Sequence, residues 1–144
     1  MDDKLFQRVT FENQLMSFFN QYCKLSDFAM TTASIKTRED YADIRSALSE
    51  MSELGKELIK AIPEAESKDF KDETSQFLKL ISERLDNIAE RYIHLEAKRF
   101  GEESYSFFQD GEYRKKDRQY EKAISSLGER MNYYKDETKR MMEL

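Results

Sequence analysis

Chemistry in this chain, if any, has to come from few side chains. His94 is the only histidine and Cys23 the only cysteine. A lone imidazole on a helix invites a phosphotransfer reading. The context "YIHLEAKRFG" supplies Lys98 one turn on and Gly101 further away. The small residues that would let a phosphodonor approach are missing, so we read His94 as an ordinary surface histidine and keep phosphotransfer as a minor alternative. Glu90 and His94 are spaced by four, whereas dimetal carboxylate bundles use Glu-x-x-His pairs on two helices. With one histidine, zinc, haem, di-iron and His-dependent triad chemistry all lack residues. Cys23 falls within apolar rows with no base nearby, as a small buried hydrophobe would. The glycines are scattered singly, so no phosphate-cradling loop is present. We therefore expect no enzyme, no cofactor and no bound metal.

A different chemistry is suggested by "EYRKKDRQYEK", which holds Arg114, Lys115, Lys116, Arg118 and Lys122 just after Phe107 and Phe108. Basic residues beside aromatics bind anionic lipid surfaces or nucleic acid. Asp110, Glu112, Asp117 and Glu121 interrupt the run, and the whole chain is at −5. The plainer reading is a solvated face of mixed charge; membrane-surface binding over 107–122 is the alternative function. Nucleic acid calls for a cleaner basic face. The Tyr and Met side chains near the C-terminus are read as core, with Tyr133 lying off the seam.

The elements that must position these groups are helical. Four glycines and one proline in 144 residues leave little turn chemistry for a β-rich fold. Glu, Lys, Leu, Ala, Met and Arg favour helix. The first segment, from about Asp3 to Ala33, repeats Phe11, Leu15, Phe18, Tyr22, Leu25 and Ala29 at spacings of four and three. A second row, Leu5, Val9, Met16, Phe19, Cys23 and Met30, lies beside it. The second segment opens at Thr37, a plausible N-cap, and carries Tyr41, Ile44, Leu48, Met51, Gly55, Leu58 and Ile62 before Pro63 stops it. The third starts near Ser67 and is seamed by Leu78, Ile81, Leu85, Ile88, Tyr92 and Leu95. We expect it to run across Gly101 to Gln109, with Gly111 as its stop, so that the hairpin tip overhangs; a break near Gly101 is the other possibility. The fourth spans about Glu112 to Met142 along Tyr113, Tyr120, Ile124, Leu127, Met131, Tyr134 and Met141.

Four amphipathic helices with short connections predict an all-α, four-helix antiparallel bundle with a long helix 3–helix 4 hairpin, as one domain over residues 1–144. Acidic side chains outnumber basic ones over 63–110 and the balance reverses over 111–144, which suits that hairpin. The single cysteine excludes an internal disulfide, and the acidic start "MDDKLFQ" has no apolar run behind it, so a cytoplasmic protein is expected. No stretch has the ~18 apolar residues of a membrane span.

The first segment is the anomaly. Two apolar rows make a face roughly 200° wide, against the ~100° stripe of a surface helix. Either this helix is the most central one, or one row faces its own bundle and the other a partner. The second option predicts a non-enzymatic interaction module that self-associates, a dimer being favoured, or binds a partner helix. The expected contact residues are Phe11, Leu15, Phe18 and Tyr22, or Met16 and Phe19 if the rows are exchanged.

Overall fold

The computed structural model describes residues 2–144. Among them four α-helices follow in order: α1 Asp3–Ala29, α2 Arg38–Lys60, α3 Lys68–Arg99 and α4 Phe107–Met142, with a 3-10 turn at Thr32–Ser34 after α1. No strand occurs among the described residues, and the molecule is the expected four-helix bundle. Each start has a side-chain cap for an otherwise orphaned backbone N–H. The Asp2 carboxylate accepts from Leu5 N at 2.8 Å and the Ser67 hydroxyl from Phe70 N at 3.1 Å. Thr37 with Asp40, and Ser106 with Gln109, form reciprocal capping boxes.

The second of those boxes overturns one expectation. The third helix does not continue to Gln109. It ends at Arg99, where Gly101 takes φ 73°. Gly101 N donates to Lys98 O at 3.2 Å and Glu102 N to Ala97 O at 2.8 Å, the two bonds of a Schellman terminus. Only glycine adopts that left-handed backbone without a Cβ penalty. Gly111, expected as the stop, lies inside α4. The break brings the helix lengths to 27, 23, 32 and 36 residues, and no overhanging tip forms.

Contacts between named residues fix the topology. Ser52 faces Ser82 and Tyr41 faces Tyr92, so α2 runs antiparallel to α3. Asp110 lies by Arg91, Asp117 by Arg84 and Tyr134 by Phe70, so α4 does the same on the other side. Arg8 meets Glu66, just before α3, while Tyr92 near the end of α3 donates to Ala29 O; α1 therefore runs parallel to α3, diagonally across the bundle.

The central helix is α3, not α1. Leu78, Ile81, Leu85, Ile88 and Tyr92 are fully enclosed, and α3 is the helix that approaches its neighbours most closely. Gly55 permits that approach: a Cβ there would stand 2.6 Å from Ser82 Oγ and 3.1 Å from Phe18 Cζ. Beside it the two serines exchange hydrogen bonds with each other's backbone, Ser82 Oγ to Ser52 O at 2.9 Å and Ser52 Oγ to Ser82 O at 3.3 Å.

Helix α1 closes the bundle with long side chains instead of close backbone approach. Phe11, Leu15, Phe18 and Tyr22 all enter the shared core, Phe11 packing edge-on against Phe70. This settles which row faces inward. Those four residues are buried in their own bundle, so the expectation that they meet a partner is replaced by the exchanged assignment, in which only the row of Met16 and Phe19 remains available.

Candidate functional site

The row that α1 turns away from the core borders a groove between α1 and α4 of about 380 Å³. Leu15, Met16 and Phe19 form one wall, Ile124, Gly128 and Met131 the other, and Phe77 of α3 the floor. The ring of Phe19 lies 5.5 Å from that of Phe77 and 5.7 Å from that of Tyr22, so it is half-buried and held in place. Met16 stands free at 41% exposure. Opposite, Gly128 leaves a notch: a Cβ there would make ordinary contact with Phe77 Cε1 at 3.8 Å, so its absence opens the floor without being forced by packing. Polar residues rim the groove, among them Asn20, Glu129, Asn132 and Lys135. An apolar floor with a polar rim can hold aliphatic or aromatic side chains by exclusion of water.

Buried charges fix the two helices that wall it. At mid-height, Arg84 of α3 donates through Nε and Nη2 to both carboxylate oxygens of Asp117 of α4, at 2.8 and 3.1 Å, and through Nη1 to Tyr22 Oη of α1 at 2.7 Å. Burial opposes the charge on Arg84, but the Asp117 carboxylate and Tyr22 outweigh it and hold the guanidinium more basic than usual. At one end, Arg8 of α1 donates to Glu66 and, at 2.7 Å, to Glu137 of α4, its guanidinium 4.5 Å from the centre of the Phe70 ring. Glu12, one turn on, accepts from Thr138 Oγ1. Burial pushes the Glu12 carboxyl above its ordinary value, and the Thr138 hydroxyl and Arg8 offset only part of that.

The residues with catalytic potential sit elsewhere. Cys23 is partly covered, and burial and Asp27 push its thiol up, away from thiolate. His94 is less free than its sequence position implies. Its ring stacks on Tyr105 at 5.1 Å and 13°, with Tyr113 at 5.6 Å, and its Nδ1 is 2.6 Å from Glu103. Tyr113 in turn donates to Glu90 at 2.9 Å, and burial together with that carboxylate pushes its hydroxyl up to about 12. The result is an aromatic clamp that anchors the loop between α3 and α4. No group of three or more His, Cys, Asp or Glu side chains among the described residues is placed to hold a metal ion. Among the described residues, no helix is long and apolar enough to cross a membrane.

The basic and aromatic stretch lies at the start of α4. Phe107 and Phe108 are each 79% exposed, and the Arg114 guanidinium stacks over Phe107 at 4.5 Å. Lys115, Lys116 and Arg118 are exposed.

Sequence reading missed the buried charges because it followed apolar residues only. A signal was available. Arg8 occupies the heptad position of Leu15, Tyr22 and Ala29, and Asp117 that of Ile124, Met131 and Thr138. A charge on a core seam demands a partner on another seam.

No protein-family model, curated protein or solved structure matches this chain.

Proposed function

We propose that the protein is a non-enzymatic helix-docking module that pairs with a second copy of itself through the α1–α4 groove. The observation that carries this reading is the exposed Met16 beside the notch at Gly128. A two-fold interface needs one surface to offer both a knob and a hole. Here one wall supplies Met16 and the other the gap over Phe77. Glu129 and Lys135 on the rim give opposite charges that can face each other across a two-fold axis. Burying Met16 and the uncovered part of Phe19 in each copy contributes on the order of 2–5 kcal/mol before association costs. A groove this small therefore supports only a weak, reversible dimer that fills as the protein is concentrated.

Size exclusion with light scattering across a concentration series tests it. Monomer at low concentration and dimer at high concentration is the expected result. Met16→Glu and Gly128→Leu should each leave a monomer with native helix content. A wild-type chain that stays monomeric when concentrated would refute the proposal.

A further inference from the structure

Folding sorts the charges of the 102–122 stretch. Along the chain acids lead and then mix with bases, whereas in space most of the acids are tied to partners on α2 and α3. Of the six carboxylates from Glu102 to Glu121, four are engaged: Glu102 by Arg38, Glu103 by His94 at 2.6 Å, Asp110 by Arg91 at 2.7 Å and Asp117 by Arg84 at 2.8 Å. Asp110 is further held by the Tyr105 hydroxyl at 3.0 Å, and Asp117 is buried. Only Glu112 and Glu121 remain on the outer face. On that face Lys115, Lys116, Arg118 and Lys122 are exposed and form no ion pair among the described residues. At its end Phe107 and Phe108 stand almost bare, the most exposed phenylalanines among the described residues.

We infer that this outer face of the first half of α4 docks onto bilayers rich in anionic lipid. Phe107 and Phe108 enter the boundary between headgroups and acyl chains, while Lys115, Lys116, Arg118 and Lys122 lie over the headgroups. Charge complementarity selects the occupant. The cations sit on a convex helix face with the apolar pair beyond them at its tip, an order that suits a flat anionic surface with an oily interior. A nucleic-acid strand is tracked by a groove with aromatics interleaved among the cations, and this face has no such groove. The chain's net −5 does not prevent docking, since charges beyond about 8 Å are screened at physiological salt. The site is independent of the α1–α4 groove and uses none of its residues.

Flotation of the full chain with phosphatidylserine-containing vesicles, against pure phosphatidylcholine vesicles, tests the inference. Binding is expected to the anionic vesicles only and to weaken as salt rises. Lys115→Gln with Lys116→Gln should lower the affinity about 25-fold, roughly fivefold for each lysine. Phe107→Ser with Phe108→Ser should abolish flotation at physiological salt. Glu112→Gln with Glu121→Gln should strengthen binding, a gain that no folding defect can mimic. The inference is overturned by absence of flotation at low salt, by equal flotation on neutral vesicles, or by unchanged binding in all three double variants. It is also overturned if a labelled single-stranded oligonucleotide binds more tightly than the vesicles do.

Discussion

Two buried carboxylates show how differently the same chemical group can act in this core. Asp117 has both oxygens filled by Arg84, so the pair is satisfied and locks α3 to α4. Removing one member leaves a charge with no partner. Asp117→Ala is expected to lower stability by about 3–5 kcal/mol in urea unfolding, and Arg84→Met combined with Asp117→Leu should recover most of that loss. Glu12 lies in the opposite situation. Its folded carboxyl titrates above its unfolded value because burial disfavours the anion. The folded state therefore holds the proton more tightly, and stability falls as pH rises from the unfolded value through the raised folded one. Glu12→Gln keeps an acceptor for Thr138 without the charge. We expect it to raise the melting temperature at neutral pH and to flatten the pH dependence in that window; equal melting temperatures at pH 7 would contradict the burial argument.

At the scale of elements, three glycines in or beside helices do three different things. Gly101 takes a positive φ, so Gly101→Ala should cost about 1–2 kcal/mol. Gly55 marks the tight crossing of α2 and α3, and Gly55→Ala should cost about 1–3 kcal/mol by overpacking Ser82 and Phe18. Gly128 has room, so Gly128→Ala should instead stabilise α4 by up to about 1 kcal/mol. Thermal unfolding of the three variants checks the order, and a stabilising Gly55→Ala would break it. The sequence makes the helices legible because the seams alternate by three and four with few interruptions. Thr37, Ser67 and Pro63 mark boundaries for the same local reasons that a peptide would obey. The end of α3 is hidden in the sequence because "EESYSFF" has helical composition, while the deciding pieces, the Gly101 terminus and the Ser106–Gln109 box, act together across a loop. The inward row of α1 was visible only as one of two choices. Which row points in depends on where α3 and α4 lie, and that information is not local to α1.

For the whole molecule, the second apolar row of α1 is half accounted for by the bundle itself. Phe19 leans on Phe77 and Tyr22, whereas Met16 remains 41% exposed. The groove lies between α1 and α4 where Gly128 supplies no side chain to fill the gap. Sequence periodicity shows the excess of apolar surface but not the cleft, since a cleft is a property of two helices together. An isotope-filtered NMR experiment on a mixed sample, one copy carrying labelled methionine methyls and the other unlabelled, tests the groove pairing most directly. The account expects cross-copy contacts from the Met16 methyl to the Phe77 ring and to the Gly128 Hα protons, lost on dilution. A Met16 methyl that shows contacts only within its own copy at concentrations where the protein is dimeric would contradict it.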